Sequence, residues 1–228
     1  MAQSNSTRRR RRVIAIDGPA GAGKSTVAKL LADRLKFRYL DTGAMYRAVT
    51  LLALRAGIDS TDTARLSELA GNLDFEMSED GRVFVCGEDV TEELRSKDVD
   101  RAVSEYSAIP EVRQALVAKQ RRYVGDGAVV EGRDIGTIVF PDAAVRVFLT
   151  ASPEVRAMRR LETDKGRTLE ELLEDIQRRD RLDSTREASP LKAAKGVEVI
   201  DTTHLEPTAV ADRIEALWRE AQKGSRRS

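Results

Sequence analysis

Ile16-Asp17-Gly18-Pro19-Ala20-Gly21-Ala22-Gly23-Lys24-Ser25-Thr26 decides the fold. Gly18 and Gly23 are separated by four residues and followed by Lys and Ser, the spacing of a loop whose backbone N–H groups curl around a polyphosphate. Lys24 adds a point charge for the outer phosphates, the helix that follows adds the positive end of its dipole, and the Ser25 hydroxyl is placed to ligate Mg²⁺. Such a loop needs a strand before it and a helix after it. Val13 to Ile16 reads as a short buried strand, and Thr26 to Leu35 puts Val27, Leu30, Leu31 and Leu35 on one helical face. A glycine-rich turn that merely caps a helix is the bland alternative, and this context argues against it.

Outward from the loop, strand and helix patterns alternate. Phe37 to Asp41 predicts a second strand and Thr42 to Arg55 a helix; Ala128 to Glu131, Val145 to Ala151 and Val197 to Ile200 predict three more strands. Helix starts are marked by Ser152 before Pro153 and by the capping box Thr168 with Glu171. Leu169, Leu172, Leu173 and Ile176 stripe one helix, and Val210, Ile214 and Leu217 the last. That order predicts an α/β fold, a parallel sheet flanked by helices on both faces. Between Asp62 and Ile109 the rhythm changes. Leu73, Phe75 and Met77 alternate with polar neighbours, then come Glu79-Asp80-Gly81 and the alternating Val83 and Val85, which together predict an inserted antiparallel hairpin. The expected organisation is a basic tail at 1–12, a phosphate-loop domain at 13–222 and a flexible end at 223–228. Within the domain, a core of 13–61 and 110–222 carries an inserted subdomain at about 62–109 and a short lid at about 156–168.

The chain has 228 residues, 39 Lys+Arg against 38 Asp+Glu, one Cys and one His. A chain of this length buries a core without disulfides or structural metal. Cys86 alone forms no internal bridge and His204 alone builds no zinc site or triad. The longest apolar run, Ala48 to Leu54, is broken by Thr50 and far shorter than a membrane span. Five of the 39 cations are Arg8 to Arg12, leaving 34 basic against 38 acidic residues in the body. The apolar segment after that arginine run is too short for a secretory signal, so the tail reads as a solvated one, with a weak anion-binding or nucleic-acid-binding arm as the sharper alternative.

A nucleotide site does not say what becomes of the nucleotide. A GTPase switch needs an Asn-Lys-x-Asp base reader, and the only asparagines are Asn5 and Asn72. Arginine, by contrast, is abundant on loops, strand ends and polar helix faces: Arg47, Arg113, Arg133, Arg156, Arg159, Arg160, Arg167, Arg179 and Arg186. Any one of these alone reads as a solvated side chain. Together they suit a cleft where donor and acceptor are both phosphates, whose mutual repulsion fixed cations must offset. A phosphate monoester with a second pKa near 6 is largely ionised at neutral pH and needs no general base, so positioning and charge neutralisation carry the catalysis.

Four stretches then point to a family: IDGPAGAGKST (Ile16 to Thr26), LDTGAMYR (Leu40 to Arg47), EGRDIGTIVFPDA (Glu131 to Ala143) and RRDRLDSTREASPL (Arg178 to Leu191). The chain closely resembles the bacterial cytidylate kinases, nucleoside monophosphate kinases with a phosphate-loop fold and an enlarged monophosphate-binding subdomain, from Val13 to about Ala221. The resemblance implies transfer of the γ-phosphoryl group of ATP to CMP, and to dCMP, with Mg²⁺ accompanying ATP. It implies ATP binding by Gly18, Pro19, Ala20, Gly21, Ala22, Gly23, Lys24, Ser25 and Thr26, with Ser25 toward the metal. Arg47 and Arg133 would hold the acceptor phosphate, with Thr42 where many relatives carry Ser. Ser104, Arg113 and Asp134 would read the cytosine edge, the carboxylate accepting from an exocyclic amine that uracil lacks. Arg179 and Arg186 would reach phosphate and sugar, and Asp183 the ribose hydroxyls. Arg156 and Arg160, one turn apart on one helix face, would swing with the lid onto the transferring group, with Arg159 as a third member, so Lys24, Arg133, Arg156 and Arg160 are the expected catalytic set. Ser25 stands where some relatives have Gly, which favours the metal role.

The implied enzyme is a cytoplasmic monomer working on small molecules, with no membrane and no obligate nucleic acid. Two other readings stay in view: a monophosphate kinase with UMP or AMP as acceptor, and a nonenzymatic ATP-dependent switch that grips nucleic acid through its arginine tail. Cys86, beside Gly87 at a strand end, reads as a small packed residue, Trp218 as the apolar side of the last helix, and His204 as part of a polar turn.

Overall fold

The computed structural model describes residues 12–78, 80–125, 127–162, 164, 166–185, 191, 193–194 and 196–225. By its contacts the chain falls into two units: one runs to Tyr39 and resumes at Val124, the other is Leu40–Tyr123. The second unit is wider than the insertion read from the alternating pattern, because the helices on either side of the hairpin pack with it.

In the first unit, β1 (Val13–Asp17) leads through the phosphate loop to α1 (Lys24–Leu35), and β2 (Arg38–Asp41) begins there. After the second unit come β6 (Ala128–Gly132), a wide turn at Ile135–Val139, β7 (Val145–Thr150), α6 (Pro153–Leu161), α7 (Leu169–Thr185), β8 (Glu198–Asp201) and α8 (Pro207–Ser225). The sheet order is β2-β6-β1-β7-β8, and the registers of β1 with β6, β1 with β7 and β7 with β8 are all parallel. β1 and β6 are buried at all five positions, as expected of central strands covered on both faces. Ile14, Ile16, Leu31, Val147, Leu149, Ile200 and Ile214 form the core between sheet and helices, and each such side chain contributes about 1.5–3 kcal/mol through its removal from water. Trp218 is on the apolar side of α8, its ring edge-on to Phe37 at 5.2 Å. Ala157, Leu172 and Ile176 make a separate small core between α6 and α7.

The second unit holds α2 (Thr42–Arg55), α3 (Thr63–Gly71), the strands β3 (Phe75–Met77), β4 (Val83–Val85) and β5 (Glu88–Asp89), then α4 (Lys97–Tyr106) and α5 (Pro110–Tyr123). The hairpin is present in the expected alternation, pairing Phe75 with Val85 and Met77 with Val83. A two-residue third strand, absent from the sequence reading, extends it. Cys86 departs from expectation: it is exposed, because the turn between β4 and β5 puts it at a left-handed φ of 51° that turns the side chain away from the unit's interior.

Candidate active site

Parallel register brings the carboxyl ends of β1, β6 and β7 side by side, the place where open α/β sheets bind ligands. β1 ends in the phosphate loop, β6 in Gly132-Arg133-Asp134, and β7 in Ala151-Ser152, where the Ser152 hydroxyl caps α6 by accepting from Val155 N–H at 3.3 Å.

Two loop glycines are dictated by space. Gly18 has φ +147°, and a Cβ there would lie 2.1 Å from Leu149 O; Gly21 has φ +79°, and its Cβ would lie 2.8 Å from Arg156 Cβ. No side chain caps the start of α1, so its first N–H groups face the loop as anion donors. Lys24 is buried and its ammonium donates to Pro19 O at 2.8 Å, which holds it against the loop. Ser25 and Thr26 are exposed at the first turn.

Arginines surround this loop, each anchored. Arg133 donates from Nε to Asp183 Oδ2 at 2.8 Å and from Nη1 to Gly18 O at 3.0 Å. Arg156, 3% exposed, forms a two-pronged pair with Asp180 at 3.0 and 2.6 Å and also donates to Ala20 O and Ala151 O. Arg159 donates to Thr202 O at 2.6 Å and to Thr202 Oγ1 at 3.0 Å. Asp175 is a hub whose oxygens lie 3.2 Å from Arg160, 3.5 Å from Arg167, 2.6 Å from Arg178 and 3.0 Å from Arg179. Burial opposes ionisation of Asp175, but Arg179, Arg178 and Arg160 outweigh it and hold its carboxyl below the usual range. Asp17 is the opposite case. Burial raises it to about 6, against the lowering effect of hydrogen bonds from Gly136 and Ile135, with Asp134 adding to the rise.

Most of the expected site residues of the first unit are therefore gathered at its strand ends and on α6 and α7; Arg186 lies outside the described residues. In the second unit, Thr42 opens α2 and is buried, and Arg47 pairs with Asp100 at 3.0 Å, one helical turn before Ser104. Arg113, also buried, donates to Ser107 O at 2.9 Å and lies 5.3 Å over the Tyr46 ring. Arg47, Ser104 and Arg113 thus stand on α2, α4 and α5, helices joined by the Arg47–Asp100 pair and the Arg113 bond to Ser107 O.

Sequence reasoning missed Asp17, Asp175, Asp180 and Thr202. Thr202 is 2% exposed, with Oγ1 3.1 Å from Ala22 O and 3.0 Å from Thr150 O, so it ties the phosphate loop to the end of β7. A single hydroxyl after a short strand gives no signal in sequence. Asp175 had one: its helical spacing to Arg179 on a helix rich in arginine.

Residues 14–220 match the family model described as cytidylate kinase. A cytidylate kinase of Caldanaerobacter subterraneus subsp. tengcongensis is 51% identical over 216 residues, 92% of this chain and 96% of the relative. One from Rhodococcus jostii is 51% identical over 202 residues, 85% and 88% of the two chains. Among solved structures, an uncharacterised protein from Eubacterium ventriosum has a TM-score of 0.52 at 14% identity, covering 92% of this chain and 99% of that one, a likeness of fold. By its sequence from end to end of the kinase region, the chain belongs to the cytidylate kinase family.

Proposed function

We propose that this enzyme phosphorylates CMP with ATP as the donor, giving CDP and ADP, and that dCMP is a second acceptor. The observation that carries the reading is the Arg133 guanidinium, tied at 3.0 Å to the first carbonyl of the phosphate loop: a cation of the β6 end is fixed beside the donor cradle, where charge builds when one phosphate attacks another.

Gly18 to Thr26 take the ATP phosphates, and Lys24 neutralises the group in transit. Arg156 and Arg160 add charge from α6, Arg156 being held next to Ala20 O at 3.2 Å. Thr42, Arg47 and Arg133 take the CMP phosphate. Ser104, Arg113 and Asp134 read the base, and Arg179, Asp183 and Arg186 serve phosphate and sugar. The acceptor is already ionised, so these residues bind, orient and exclude water rather than move a proton.

The donor set fits Mg²⁺ delivered with ATP. Among the described residues no three His, Cys, Asp or Glu cluster as a metal cage, and Mg²⁺ commonly binds through one or two protein oxygens plus substrate phosphates. Ser25, exposed at the start of α1, would be the chain's ligand; the ion supplies charge stabilisation on the phosphate oxygens. Among the described residues no helix is long and apolar enough to cross a membrane; on this reading the enzyme is further taken as a cytoplasmic monomer on small substrates.

A coupled assay with Mg·ATP across CMP, dCMP, UMP and AMP tests this. CMP and dCMP are expected to lead; comparable turnover of AMP overturns the base assignment, and dependence on added DNA or RNA, or on residues 1–12, favours the nucleic-acid switch.

A further inference from the structure

The carboxylate that closes β1 has no part in the roles above. Asp17 is 4% exposed and uses both oxygens, Oδ1 accepting from Ile135 N–H at 2.7 Å and Oδ2 from Gly136 N–H at 2.8 Å. These donors are the two residues directly after Asp134. The Asp134 carbonyl is held as well, accepting from Ile138 N–H at 2.8 Å and Val139 N–H at 3.2 Å. Its main chain is thereby fixed at φ −145°, ψ 25°, and the backbone sets the direction in which a side chain leaves. Gly18, next to Asp17, holds Arg133 through its carbonyl. Two consecutive residues at the mouth of the phosphate loop therefore fix both charged members of Gly132-Arg133-Asp134.

We propose that Asp17 is a positioning residue for acceptor recognition, holding the chain after Asp134 so that its carboxylate is presented to the base of the nucleoside monophosphate. The inference rests on the reading that Asp134 recognises cytosine. An ionised carboxylate suits the task because it only accepts. An amide of the same shape must turn an NH₂ toward one of the two N–H groups, losing one hydrogen bond and adding a donor–donor clash.

Asp17→Asn is expected to raise KM for CMP about tenfold and to narrow the CMP-over-UMP ratio of kcat/KM severalfold, with KM for ATP within about twofold. If its effect is confined to a lower melting temperature and a smaller active fraction, with KM for CMP and the ratio unchanged, Asp17 is merely structural and the proposal falls. Should Asp17→Asn not fold, Gly136→Ala decides. Its added Cβ lies 3.3 Å from Asp17 Oδ2 and is expected to shift KM for CMP in the same direction by a few fold; no shift overturns the proposal. Asp134→Ala separates the two layers. If it leaves the CMP-over-UMP ratio intact, the base reading fails and takes this inference with it. If it collapses the ratio while Asp17→Asn does not, the Asp17 inference alone fails.

Discussion

Two carboxylates, Asp17 buried and Asp175 half-buried, hold the first unit's chemistry together by opposite means. At the β1–β6 strand ends, Asp17 is met by two backbone N–H groups, and burial still pushes its carboxyl up to about 6. Between α6 and α7, Asp175 is met by guanidinium groups, and its carboxyl is held below the ordinary range in spite of burial. Neutral dipoles offset only part of the desolvation of a charge, whereas full cations reverse it. The strand-end region is thus built for geometry and the helix pair for charge, the division of labour that phosphoryl transfer between two anions requires.

The sharpest way to break the comparison is to remove charge from the geometric region. Lys24→Ala is expected to slow turnover by roughly two or more orders of magnitude with the protein folded, measured as kcat at saturating substrates beside a thermal melt. Near-normal turnover contradicts the role of the loop lysine.

The two carboxylates also separate by pH. Asp17 binds its proton more tightly in the folded protein than at its ordinary value of 3.8, so its contribution favours folding at low pH and is lost as pH rises from about 4 to about 6. Over that window the unfolding free energy of the native protein should fall relative to Asp17→Asn by up to ~3 kcal/mol. Asp175 runs the other way: its pairing stabilises above the ordinary carboxylate range and is lost as acid protonates it. Chemical denaturation of the native protein and Asp17→Asn at pH 4, 5 and 6 reads the Asp17 contribution, and a difference that grows with pH has the wrong sign; the Asp175 contribution is lost only below about pH 4.

Asp180→Ala leaves the buried Arg156 without its carboxylate and is expected to cost about 2 kcal/mol of stability, while slowing turnover through the loosened contact with Ala20. The smallest effect concerns the start of α7. Thr168 and Glu171 exchange hydrogen bonds at 2.8 and 3.2 Å, and Thr168→Ala should cost about 1 kcal/mol with kcat nearly unchanged.

The geometric region was the legible one. A phosphate loop is consecutive residues, and its strand and helix carry their own periodicity, so Gly18 to Thr26 and the parallel sheet could be read directly. The hairpin was equally plain because alternation at Phe75, Met77, Val83 and Val85 is local. What escaped depends on distance in the chain: Asp17 acts on residues more than a hundred positions later, Thr202 binds the loop from the far end, and Arg156 finds Asp180 on another helix. The same long-range pairing packs α2 with α4 and α3 with α5, which is why the second unit extends beyond the hairpin. Cys86 was misread because strand alternation does not announce the turn that follows it.

The most direct measurement is the structure of the enzyme bound to CMP and a nonhydrolysable ATP analogue with Mg²⁺. Lys24 is expected within hydrogen-bond distance of the outer donor phosphates, Arg133 on the CMP phosphate and Asp134 on the cytosine amine. Electron density that puts CMP away from Arg133 and Asp134, or the triphosphate outside the Gly18 to Thr26 cradle, would contradict the assignment.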